Sequence, residues 1–236
     1  MREESYIPLP GLDKQLRFFI EYIVPEGKKI LVAGAASEII AKRLSVYTGQ
    51  VVEMIVEDYE SLMNARIILD NFPKVVVKLM EFDHTDYKRS QFDYIFAQAS
   101  VSSNKRRSIL KEFKRILKDG GSICVGEMIT LNKTYPKFIY EIFESNGLDV
   151  LAHDDLKKFY ESSGLKVDAE RNLSESLTNY YRSNLKILSE SLLELNENER
   201  AYYKKLINRI SHESKSFLAH GGDKYVGFET MIMRKI

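Results

Sequence analysis

Lys29-Ile30-Leu31-Val32-Ala33-Gly34-Ala35-Ala36-Ser37-Glu38-Ile39-Ile40, running on to Leu44, is the stretch on which the reading of the fold turns. The apolar run Ile30–Ala33 has the character of a buried parallel strand. Gly34 to Ser37 is a turn of very small residues that lets a ligand come close to the backbone. Ser37 stands where a helix N-cap belongs, and Ile39, Ile40 and Leu44 then share one helical face. Strand, turn and helix make the first unit of a doubly wound sheet, in which ligands sit at the carboxyl ends of the strands.

Outward from this unit the pattern repeats. Val51–Val56 is a second strand ending at Glu57-Asp58, an acid about 20 residues past the turn, where a carboxylate offers acceptors to a ribose diol. Asp58 also suits the N-cap of a helix from Tyr59 to Asp70. Lys74–Met80 is a third strand running into Asp83-His84, and Phe92–Ala97 a fourth. An amphipathic helix through Ile109, Leu110, Phe113, Ile116 and Leu117 ends at Asp119-Gly120-Gly121, and Ser122–Val125 is a fifth strand. A helix capped by Asp154 or Asp155 precedes a sixth strand at Leu165–Ala169. Such βα alternation implies a parallel sheet with helices on both faces. Upstream, Leu12, Leu16, Phe19, Ile20 and Ile23 form an N-terminal cap helix within residues 1–27. Residues 28–236 are the main domain, with a helical hairpin insertion at about 173–219. The long alternating segment Lys224–Lys235 closes the chain.

The composition excludes several classes. The chain has 236 residues, 44% hydrophobic and 29% charged, with formal net charge +1, so no global field favours nucleic acid or anionic membrane. Lys105-Arg106-Arg107, with Lys111, Lys114, Arg115 and Lys118, reads as a solvated helix face. No apolar run is long enough to span a bilayer, the N-terminus lacks a signal-peptide core, and the single Cys124 fits a reducing compartment. A cytoplasmic location is the expectation. Four histidines and one cysteine show no metal-ligand spacing.

At Gln91–Glu127 the sequence becomes specific. Phe92-Asp93-Tyr94-Ile95, a helix, then Arg115-Ile116-Leu117-Lys118-Asp119-Gly120-Gly121 resembles the class I S-adenosylmethionine-dependent methyltransferases, most of all the ubiquinone/menaquinone-biosynthesis-like branch acting on small molecules. Asp119 stands where that family has proline. The resemblance implies a Rossmann-like, seven-stranded, mostly parallel sheet with its last strand antiparallel, and S-adenosyl-L-methionine as cofactor. It implies that Gly34, Ala35 and Ala36 underlie the methionine part and that Glu57 takes the ribose beside Asp58. Asp83 would accept from the adenine amino group with His84 beside the ring, and Gln98 would face the reacting methyl.

Three departures stand against the family pattern. Val32 replaces an acid before the turn, and Ala36 and Glu38 replace glycines; Glu38 either substitutes for the missing acid at the cofactor's amino group or, the plainer reading, is a solvent-facing first-turn acid. The expected activity is methyl transfer to a small-molecule acceptor, with His220 the candidate base in its Gly-rich turn. Tyr6, Tyr180 and Tyr181 are candidate acceptor contacts in a lid made by the hairpin and the N-terminal helix. The alternatives are a non-catalytic, methyltransferase-like regulatory or partner subunit and, behind it, an RNA methyltransferase, for which Ala97-Gln98-Ala99-Ser100 lacks the Asn-Pro-Pro-aromatic motif of base-amino methylation. The oligomeric state stays open, a homodimer included.

Overall fold

The computed structural model describes residues 6–236. Strands β1 (Ile30–Ala33), β2 (Val52–Val56), β3 (Val75–Leu79), β4 (Phe92–Gln98), β5 (Leu117–Thr130), β6 (Leu151–Ala152), β7 (Leu165–Asn172) and β8 (Val226–Lys235) form one sheet. Their order is β3-β2-β1-β4-β5-β8-β7, and the short β6 pairs with the end of β5. β1 to β5 pair in parallel, whereas β8 runs antiparallel to both β5 and β7. The mostly parallel sheet with an antiparallel final strand is therefore present, with β6 as an addition that its brevity hides from pattern reading.

Helices cover both faces. α1 (Lys14–Tyr22), α2 (Glu38–Thr48) and α3 (Tyr59–Ile68) lie over Ile30, Val32, Met54, Phe96 and Cys124. α4 (Arg106–Ile116) and α6 (His153–Ser162) lie over Leu31, Ala33, Ile95, Ile123 and Val125. Successive residues of β1 thus feed two cores, which is why its sequence is a continuous apolar run rather than an alternation. A third cluster joins Met128 and Phe228 of the sheet to α5 (Lys137–Ser145), α7 (Ser176–Glu194) and α9 (Lys204–Ala219).

Several local expectations change. Ser37 makes no side-chain cap; its hydroxyl instead donates to Ala35 O at 3.4 Å. Asp154 and Asp155 lie inside the first turn of α6, favourable to its dipole, and Ala152 occupies the cap position. Asp58 does cap α3, accepting from Ser61 N at 2.8 Å. α4 stops at Ile116, and Leu117–Gly121 already belongs to β5, with a register shift opposite Phe92/Tyr94. Gly121 lies against Asp93 O, 2.7 Å from where a Cβ would stand, so a side chain there would prise β4 and β5 apart.

The strand order fixes the position of the insertion. β7 ends at Asn172 opposite Glu229, and β8 begins at Val226 opposite Thr130. The excursion 173–225 therefore leaves and re-enters the sheet at the carboxyl edge of the parallel strands. It comprises α7, a short α8 (Glu197–Tyr202) and α9. Asn196 and Glu199 form a reciprocal capping box at the start of α8, so the tip is a built turn rather than a loose one.

Candidate functional site

The ends of β1 to β4 meet at this edge. After β1, Gly34 has φ +138°, and a Cβ there would fall 2.9 Å from the Ser100 Cβ, so only glycine fits. The loop after β4 presses on this turn: Ser100 Oγ donates to Ala33 O at 2.7 Å. Both loops carry an alanine in the left-handed region, Ala36 at φ 57° and Ala99 at φ 55°, and Ala99 N is tied to Gly126 O at 2.8 Å. Strained non-glycine backbone of this kind persists where surroundings hold it and clusters at binding sites. Val32 is wholly buried in the core. Glu38 is only 5% exposed, so the solvent-facing reading of this acid does not hold; burial raises its pKa, opposed by its own backbone amide and Lys42.

Glu57 follows β2 and takes Phe82 N–H on Oε1 at 2.8 Å. Its neighbour Asp58 is held below the usual carboxylate range by the Ser61 amide and hydroxyl. Asp83 faces Lys105 Nζ at 3.3 Å, and the same ammonium lies 3.4 Å from Glu81. His84 beside it is exposed. Gln98 at the end of β4 is buried, and its Nε2 donates to Pro10 O at 2.7 Å and Leu12 O at 2.8 Å. Its amide thus straps the N-terminal segment across the sheet edge.

The tyrosines separate by role. Tyr6 lies beside Ser183 and Tyr180, and burial pushes the Tyr180 hydroxyl up to about 12. Tyr181 points into the α7/α9 seam, where it stacks on Phe217 at 4.2 Å and donates to Glu213 at 3.0 Å. His220 is exposed at the end of α9, its ring 5.3 Å from that of Phe138.

A cleft of about 1240 Å³ is lined by the start of α3, by α5, and by α8 and α9; α5 itself packs on α9, where Asn146 Nδ2 donates to Glu213 at 2.9 Å. Asp58, Glu60, Glu141 and Glu144 line it together with Lys205, Arg209 and His212, and with Tyr202, Tyr203 and Leu206.

Sequence reasoning missed a buried polar cluster under the same edge. Arg106 is 3% exposed and Glu127 0%, so the basic run of α4 is not uniformly a solvated face. Arg106 Nε and Ser102 Oγ each donate to Glu127 Oε2 at 2.9 Å, and Tyr160 OH donates to Oε1. The signal was available: Arg106 precedes Ile109, Leu110 and Phe113 by helical spacings, and Glu127 interrupts the otherwise apolar stretch Ile123–Ile129 of β5.

Residues 31–125 match the family model described as a methyltransferase domain. No curated protein matches the chain. Among solved structures, the [4+2]-cyclase SpnF is similar at TM-score 0.76 and 15% identity, covering 94% of this chain and 80% of that one. Phosphoethanolamine N-methyltransferase 2 of Haemonchus contortus, solved with S-adenosyl-L-methionine, gives 0.77 and 15%, over 94% of this chain and 52% of that one. Geranyl diphosphate C-methyltransferase of Streptomyces coelicolor A3(2), solved with S-adenosyl-L-homocysteine, gives 0.68 and 13%, over 95% and 77%. None of these singles out the ubiquinone/menaquinone-like branch. The resemblance carried by Arg115–Gly121 holds at the level of domain and fold: residues 31–125 match a methyltransferase domain, within a chain that has the Rossmann-like methyltransferase fold.

Proposed function

We propose that this chain is an S-adenosylmethionine-dependent methyltransferase acting on a small-molecule acceptor by in-line displacement. The observation that carries the reading is the meeting, at one sheet edge, of the Gly34–Ala36 turn with the acids Glu57 and Asp83, all within the stretch that matches the methyltransferase-domain model. The residues present fit the cofactor. The Gly34–Ala36 turn carries no side chain larger than a methyl, as close approach to the methionine part requires. Glu57 has one oxygen on the Phe82 amide and a second for a ribose hydroxyl, while Asp58 is spent on its cap. Asp83 offers an acceptor to the adenine amino group, with His84 beside the ring. Glu38, buried at the start of α2, supplies a carboxylate for the ammonium group in place of the acid absent at Val32.

The cofactor, when bound, supplies a methyl group already activated on a sulfonium. The chain then has to align the acceptor and exclude water. Tyr6 and Tyr180 are assigned to the acceptor wall, with Tyr181 behind them in the hairpin. His220 is assigned as the base for an acceptor that must lose a proton. Relatives of this fold named for phosphoethanolamine and geranyl diphosphate support a small acceptor, but one named a cyclase warns that the fold alone does not fix the reaction.

A second reading, a non-catalytic relative, is favoured by one observation: both hydrogens of the Gln98 amide are committed to Pro10 and Leu12 rather than to a ligand. Calorimetric titration with S-adenosylmethionine and S-adenosylhomocysteine separates the two. Saturable binding in the micromolar range, about −8 kcal/mol, is expected. No heat at millimolar ligand would leave the non-catalytic reading standing.

A further inference from the structure

We propose that the buried Arg106–Glu127 pair positions the cofactor turn, acting through the loop 98–105 that follows β4. The inference rests on the methyltransferase reading above. Glu127 lies on β5 and accepts from three directions: the loop (Ser102), α4 (Arg106) and α6 (Tyr160). Arg106 also donates to Asp149 O, and its guanidinium lies 3.5 Å from the Asp149 carboxylate. Asp149 N in turn donates to Ser102 O at 3.0 Å. Ser102 is therefore clamped by side chain and backbone to the same ion pair.

From Ser102 the constraint runs to the site in two short steps. Two residues back, Ser100 holds Ala33 O, the last carbonyl before Gly34, and its Cβ fills the space a Gly34 side chain would need. Three residues on, Lys105 reaches Asp83 at 3.3 Å. Just before Ser100, Ala99 is kept in the left-handed region. A shift of Ser102 by a few tenths of an ångström must therefore move either Ser100 against the turn or Lys105 against Asp83, since packed interiors pass displacement on rather than absorb it.

Stability alone does not account for the pair. Buried ion pairs can usually be exchanged for apolar residues of similar size with no loss of stability, because desolvation offsets their attraction. Such an exchange makes the test. In the full chain, S102A/R106M/E127L/Y160F removes the pair together with both hydroxyls, of Ser102 and Tyr160, that would be left unpartnered. The expected result is a melting temperature at or above that of the parent, with S-adenosylhomocysteine bound at least tenfold more weakly by calorimetry. Stable protein with the parent's dissociation constant would overturn the positioning role. If the quadruple variant does not fold, R106K decides: lysine keeps the charge opposite Glu127 but cannot also reach Asp149. Threefold or weaker binding, with faster amide exchange confined to 99–105, is expected; parental affinity and exchange overturn the proposal. A parent chain that binds no S-adenosylhomocysteine removes the methyltransferase reading and this inference together, whereas a binding parent and an equally binding variant remove the inference alone.

Discussion

At the residue scale, the acids at the sheet edge differ in what they already hold. Glu57 keeps an oxygen free of the described protein bonds, so Glu57→Ala should weaken S-adenosylhomocysteine binding by about 1.5–3 kcal/mol, the range for hydrogen bonds to a charged group. Asp83→Ala should cost less, because Lys105 competes for this carboxylate and adenine also gains from apolar contact. An unchanged dissociation constant for Glu57→Ala would refute the ribose assignment. Glu38 makes a different prediction. Burial raises its pKa in the folded chain, so the folded state holds the proton more tightly than the unfolded one. Stability then falls as pH rises from the ordinary glutamate value through the raised one. Glu38→Gln should therefore raise the melting temperature near neutral pH, and the gain should shrink toward about pH 4.3, the unperturbed glutamate value. The same variant should bind S-adenosylhomocysteine more weakly yet leave 5′-methylthioadenosine, which lacks the amino-acid part, unaffected. Equal losses for both ligands would separate Glu38 from the ammonium group.

At the scale of elements, the hairpin is both a packed body and a cleft wall. Tyr181 belongs to the first role, and Tyr181→Ala should destabilise the chain by about 3–5 kcal/mol, the cost of emptying a buried aromatic site. Tyr203 belongs to the second: it is 37% exposed and lines the cleft, so Tyr203→Ala should raise the acceptor KM with little change in melting temperature or cofactor affinity. A fall in stability as large as that of Tyr181→Ala would place Tyr203 in the packing instead. Much of the element level was legible. Apolar runs marked the central strands, Asp58 marked a helix start, and the change from two-residue to helical periodicity after Leu173 marked the insertion. What was not legible has physical causes. Ser37 occupies a cap position but turns its hydroxyl to Ala35, a choice made by the tight turn before it. Leu117–Gly121 joins β5 although its Asp-Gly-Gly run reads as a break, because the partner β4 accepts a bulge there. Arg106 hid in a run of cations, and only its partner on β5, a strand brought beside α4 by the fold, explains its burial.

At the scale of the whole molecule, charge is balanced overall but not across the cleft. Asp58 and Glu60 at the start of α3 share the cleft with Lys205 and Arg209 of α9, so the hairpin is drawn toward the sheet edge by a field that salt screens. Labels at Asn64 and Asn208 should report a longer mean distance by energy transfer when ionic strength rises from about 0.01 to 1 M, over which the Debye length falls from about 30 to 3 Å. A distance independent of salt would mean that packing alone sets the cleft. The position of β8 has a consequence of another kind. It lies between β5 and β7, and among the described residues β7 has no other strand neighbour in the sheet. During vectorial synthesis β7 therefore emerges with nothing to pair with and must wait until the insertion and then residues 226–235 have left the ribosome. Through that interval the outer edge of β5 stands open from Ser122 to Thr130, a ready template for a foreign strand. The last strand made is thus the keystone, and nascent chains halted before Val226 should be the species that chaperones capture.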